Sequence, residues 1–170
     1  MSYDLMYLYQ LSEDNSDFSD TKTLTLGKGK KYFVTKNSVP YLTAEVEMTS
    51  NPFDEACIFG KYLCIGIFEK IAFVDLETLN VRYDELERFE LYFGRFDIIY
   101  NDMLFISSGS GITAYDRDLN VIWKNSNLAV DGVCIYGISD DGKYLKVSCE
   151  LDPPGGWVDK KVDISTGIEL

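Results

Sequence analysis

The chain contains no histidine, and that absence removes much of the chemistry that enzymes run near neutral pH. Histidine is the commonest general base and a frequent zinc ligand, so Ser–His and Cys–His nucleophilic pairs and the usual metallohydrolase sites have no basis here. Carboxylates remain. Glu150 and Asp152 flank the loop Asp152-Pro153-Pro154-Gly155-Gly156-Trp157, and in a sugar-cleaving site two carboxyls supply acid and base while an indole supplies a stacking platform. Two residues apart, these carboxyls share a face only where the backbone is extended. Trp157 emerges from two residues of fixed φ followed by two permissive ones, and a stiff loop presents a side chain at little entropic cost. The same indole could instead close the last strand against a core, so both readings are open.

Metal and phosphate signals are incomplete. Asp116, Asp118 and Asn120 match the first three oxygen positions of a calcium loop, but Val121 stands where that loop needs glycine and Asn127 where it needs glutamate. Asp14, Asp17 and Asp20 lack the alternate spacing altogether. Both stretches read as polar turns, in which Asp and Asn side chains accept from nearby backbone amides. The basic run Gly27-Lys28-Gly29-Lys30-Lys31 lacks the spacing of a phosphate cradle and reads as a hairpin turn carrying lysines. No catalytic residue, metal or cofactor is therefore expected.

The elements that would position these residues are short and strand-like. Gly60-Lys61-Tyr62-Leu63-Cys64-Ile65-Gly66 is answered by Asn101-Asp102-Met103-Leu104-Phe105-Ile106-Ser107 and by Gly142-Lys143-Tyr144-Leu145-Lys146-Val147-Ser148, with the leucines 41 residues apart. Each copy leads into a second run that ends in an acidic turn at Asp75, Asp116 or Asp163. A period near forty, built of short strands and polar turns, stacks as successive sheets. Upstream, Leu5–Leu11, Thr21–Leu26, Tyr32–Val34 and Val39–Met48 read as strands, the last alternating Leu42, Ala44, Val46 and Met48 against Thr43, Glu45 and Glu47. Thr49–Asp54, with Pro52, breaks the pattern before the repeated part. Within that part, strands are expected at Ala56–Phe59, Tyr62–Phe68, Ile71–Asp75, Asn80–Tyr83, Phe89–Phe93 and Phe96–Tyr100, the last two separated at Gly94, and Asp84–Arg88 reads as a single helical turn. Met103–Ser107, Ile112–Tyr115, Val121–Trp123, Gly132–Tyr136 and Lys143–Ser148 continue the series, and Ser139-Asp140-Asp141-Gly142 is a hairpin signal. The expectation is one all-β domain over 1–170, with N-terminal strands in 1–55 and three repeat units of antiparallel hairpins in 56–170, forming a small propeller-like, barrel-like or sandwich arrangement.

Composition sets the partner. The chain carries 16 basic and 28 acidic residues, a formal net charge of −12, so its field repels phosphate backbones and favours basic proteins. The cysteines at 57, 64, 134 and 149 form no Cys-x-x-Cys pair and read as reduced, small hydrophobes. The N-terminal residues lack a signal segment, and no apolar run is long enough to span a membrane. A cytoplasmic protein that engages neither nucleic acid nor membrane is expected.

The closing turns of the repeat units resemble those in blades of bacterial propeller proteins, the broad class that includes quinoprotein-like repeats. The segments Ile122-Trp123-Lys124, Val130-Asp131-Gly132-Val133, Asp152-Pro153-Pro154-Gly155-Gly156-Trp157 and Val162-Asp163-Ile164-Ser165-Thr166-Gly167 are similar to the ending of small bacterial all-β proteins, some of which are themselves similar to immunity proteins that neutralise a secreted toxin. That resemblance implies a basic protein partner such as a toxin and implies no catalytic residue. Asp131, Glu150, Asp152 and Trp157 are the residues expected at the contact surface. The alternative is a carbohydrate-binding or glycoside-hydrolysing β domain that uses Glu150, Asp152 and Trp157.

Overall fold

A computed structural model describes residues 2–6, 18–47, 55–86 and 92–170. Four sheets follow one another. The first contains β1 (Tyr3–Met6), β2 (Lys22–Leu26), β3 (Gly29–Lys36) and β4 (Val39–Glu47), in the spatial order β1-β3-β4-β2. The second is the meander β5 (Ala56–Phe59), β6 (Tyr62–Ile67), β7 (Lys70–Asp75) and β8 (Val81–Glu85), and the third is the meander β9 (Phe93–Tyr100), β10 (Met103–Ser108), β11 (Ile112–Tyr115) and β12 (Val121–Asn125). The fourth has three strands, β13 (Val133–Ile138), β14 (Tyr144–Asp152) and β15 (Gly156–Asp163). Among the described residues there is no helix, no sheet closes into a barrel, and every strand pairing is antiparallel except β2 with β4.

The sheets pack face to face, so three separate cores fill the gaps between them. Tyr32, Val34, Leu42 and Ala44 of the first sheet meet Leu63, Ile65 and Val74 of the second. Cys64 and Phe73, on the other side of the second sheet, meet Leu104, Ile106 and Tyr115 of the third. Phe105, Ala114 and Trp123 then meet Leu145, Val147 and Val162 of the fourth. Because side chains alternate across a strand, consecutive residues such as Leu63 and Cys64, or Leu104 and Phe105, serve opposite interfaces. The first strands of the sheets also lie side by side, β1 against β5, β5 against β9 and β9 against β13.

Acidic turns close the third strand of each later sheet. Asp75 Oδ1 accepts the amides of Glu77 and Thr78 at 2.9 and 3.0 Å, Asp116 Oδ1 those of Asp118 and Asn120 at 2.9 and 2.8 Å, and Asp163 Oδ1 those of Ser165 and Thr166 at 3.0 and 2.9 Å. The Asn120 side chain and amide hold the Asp116 carboxyl below its ordinary range, and Ser165 and Thr166 do the same for Asp163. Asp116, Asp118 and Asn120 thus form a polar turn, and no group of metal-ligating side chains occurs among the described residues.

Three expectations are corrected. Gly27–Lys31 is not a hairpin turn, because β2 and β3 do not pair; β2 lies on the far side of β4 and parallel to it. Gly27 permits that crossing, since a β carbon there would stand 2.3 Å from the Glu47 amide nitrogen. Gly94 does not separate two strands: β9 runs through it, shifting register against β10 at two places, and the missing side chain admits the Ser107 carbonyl, which would be 2.9 Å from a β carbon. Asp84 and Glu85 end strand β8 instead of starting a helical turn, where opposition to Lys70 and Ile71 of β7 holds the backbone extended. The expected Thr49–Asp54 break lies outside the described residues, as do the acidic loop at Asp14 and Asp17, the remainder of the Leu5–Leu11 strand, and 89–91 of Phe89–Phe93.

Candidate functional site

The fourth sheet has one covered face and one open face. Val147, Cys149 and Val162 point into the core against the third sheet, so the intervening residues project the other way. Glu150 and Trp157 are register partners across β14 and β15, which places both side chains on the open face. Here the sheet meets the loop that carries Asp131 and Gly132. Val130 and Asp131 donate their amides to the Glu150 carbonyl at 2.8 and 3.4 Å, and the Glu150 amide donates to the Gly132 carbonyl at 2.9 Å. Main-chain bonds therefore fix Asp131 beside Glu150. The next layer is tied in the same way: the Gly132 amide donates to Gly109, whose own amide donates to the Tyr92 carbonyl.

These segments enclose a cleft of about 360 Å³ lined by Tyr92, Arg95, Asp131, Gly132, Cys134, Glu150 and Trp157. Trp157 is 48% exposed, whereas Trp123 is buried and donates its indole N–H to the Ile164 carbonyl at 2.9 Å. The stacking platform is therefore presented to solvent. The Tyr92 hydroxyl donates to Asp131 Oδ1 at 3.0 Å, and Glu150 Oε1 accepts the Gly155 amide at 2.5 Å. Burial, the bond to Asp131 and the negative charges of Asp131 and Glu150 together push the Tyr92 phenol up to about 12. Both carboxylates thus bear on the same small volume. Neither forms an ion pair with a described residue.

Gly132 sets the shape of the cleft. Its φ of +135° is one that side-chain-bearing residues rarely adopt, and a β carbon would stand 2.9 Å from Trp157 Cη2 and 3.7 Å from Glu150 Oε2. Gly132→Ala is expected to displace the indole and to lower stability by about 1–3 kcal/mol. Urea unfolding together with the tryptophan emission maximum checks both effects; an unchanged spectrum and midpoint would show that the ring does not rest there.

Three of the four residues singled out in the sequence meet at this cleft: Asp131, Glu150 and Trp157. Asp152 does not. It sits exposed at the start of the Pro153-Pro154 turn, paired with Gly156, so Glu150 and Asp152 do not oppose one another across the cleft. Tyr92 and Arg95 complete the lining and carried no signal in the sequence, because they reach it from the start of β9, some sixty residues before Trp157. The chain is thus an all-β protein of stacked sheets with an aromatic and carboxylate cleft on an open sheet face. No family model matches it, and no curated protein matches it in sequence.

Proposed function

We propose that the protein is a non-catalytic binding module of the bacterial cytoplasm that engages a basic protein, in the way an immunity protein neutralises a toxin. The observation that carries this reading is the pairing of an exposed Trp157 with two carboxylates, Asp131 and Glu150, that have no cationic partner among the described residues. Exposed aromatic anchors dominate binding energy at protein interfaces. A net charge of −12 adds long-range attraction, which raises association rates with a basic partner and weakens with salt. We read the sheets as propeller-like units with a 41-residue period. That reading is supported by the equivalent placement of Leu63, Leu104 and Leu145 and by the shared Asp75, Asp116 and Asp163 turns.

The alternative, a carbohydrate-binding or glycoside-hydrolysing β domain, draws on the same indole and on Glu150; it is less well supported because Asp152 does not line the cleft. Calorimetric titration against a panel of basic toxin nucleases distinguishes the two, with a glycan array run in parallel. Binding that weakens steeply with salt and falls at least about tenfold in Trp157→Ala is expected. A panel without a binder, combined with a glycan hit lost in Trp157→Ala, would replace the protein-binding reading with the carbohydrate one.

A further inference from the structure

We infer that the cleft receives a single arginine side chain of the partner, its guanidinium lying on the Trp157 ring and hydrogen-bonded by Asp131 and Glu150; this deepens, and rests on, the basic-partner reading. A guanidinium is planar and weakly hydrated, stacks on an indole face, and offers several N–H donors in one plane. The cleft supplies the complement to each property. Trp157 leaves about half its surface open. Each carboxylate spends one oxygen on the protein, Asp131 Oδ1 on the Tyr92 hydroxyl and Glu150 Oε1 on the Gly155 amide, and keeps Oδ2 or Oε2 for an incoming donor. Glu150 Oε2 is near the ring: the site a Gly132 β carbon would fill lies 2.9 Å from Trp157 Cη2 and 3.7 Å from Glu150 Oε2. Carboxylate and indole therefore flank the same volume.

Arg95 also lines the cleft and forms no ion pair with Asp131 or Glu150. The two cleft carboxylates are left in excess over the one lining cation. Both are already fixed before any ligand arrives, Asp131 by the phenol and Glu150 by the Gly155 amide, so binding orders few side chains and the geometry favours a planar donor over a compact ammonium.

The test follows the Gly132 amide and the Trp157 indole N–H by NMR in the full chain. The probes are N-acetyl-arginine methylamide, its citrulline and lysine counterparts, and free L-arginine. The arginine probe is expected to shift both signals, with citrulline at least about tenfold weaker and lysine weaker than arginine. Asp131→Asn and Glu150→Gln, both at solvent-accessible positions, should each reduce affinity about two- to fivefold, in keeping with accessible ion pairs. Citrulline binding as well as arginine, or no shift with arginine, would overturn the inference. So would free L-arginine binding more than tenfold tighter than the blocked form, which would make the ligand a metabolite instead of a partner's side chain. The two levels separate cleanly: basic proteins that bind equally well to both neutralised variants refute the arginine site alone, whereas an intact arginine response with no protein binder refutes the partner reading.

Discussion

Asp97→Asn is expected to make the protein more stable at pH 7.5, by about 3 kcal/mol, and to have little effect at pH 4. Asp97 is the extra residue where β9 slips against β10, between the Ile106–Phe96 and Phe105–Ile98 pairs. Burial pushes its carboxyl up from 3.8 to about 6, against the opposing effects of Ser107, Arg95 and the Ile135 amide. Ser107 stands close enough to lower the value, yet neither its hydroxyl nor Asp97 Oδ2 completes a hydrogen bond. Between about pH 4 and pH 6 the folded chain therefore holds a proton that the unfolded chain has lost. Stability falls as pH rises through that window and is level above it. The asparagine variant lacks this slope, so the difference between the two proteins isolates it from carboxyls that act in the opposite sense. Asp116, Asp141 and Asp163 are such groups: hydrogen bonds hold them below the ordinary range, and what they contribute is lost as pH falls through their lowered folded-state values. Urea unfolding of both proteins from pH 4 to 8 measures the effect. Parallel stability curves would mean that the carboxylate is well solvated where it sits.

The sequence carries its information unevenly, for physical reasons. Strands such as Ala56–Phe59 and Ile112–Tyr115 were legible because short apolar runs lay between turn residues whose chemistry is local, Asp75 and Asp116 accepting amides two to four residues ahead. What local pattern cannot carry is pairing at a distance. Nothing near Lys22–Leu26 says that it will lie parallel to β4 beyond its own neighbour β3. Gly94 looked like punctuation, yet it serves a close approach by the Ser107 carbonyl thirteen residues on. The cleft shows the same division. Glu150 and Trp157 stood out because they flank an unusual loop, and extended pairing does bring them together; Asp152 failed to join them because the turn begins there. Tyr92 and Arg95 were invisible, since their place depends on how the third sheet meets the fourth.

Leu63→Ala, Leu104→Ala and Leu145→Ala are each expected to cost about 2–5 kcal/mol, with Leu104 at the upper end. All three are fully buried, and each lies on the second strand of its sheet. Their opposite numbers are Val74, Tyr115 and Val162 on the third strand. Each also points towards the preceding sheet: Leu63 packs with Val34 and Leu42, Leu104 with Cys64 and Phe73, Leu145 with Phe105 and Trp123. The cost of truncation depends on how far the surroundings can collapse into the space left behind. Leu104 lies between two sheets that are themselves packed on both faces, so neither can move inward without opening a second gap. Leu145 belongs to a sheet whose other face is open, which allows more relaxation. Leu63 and Leu145 share no packing partner, so their double variant should lose the sum of the single losses to within about 0.5 kcal/mol. Urea midpoints at constant slope measure all four values. A Leu104→Ala cost below that of Leu145→Ala would show that the middle interface yields more readily than stacking on both faces allows, and strong coupling between Leu63 and Leu145 would show that the three interfaces are not separate cores.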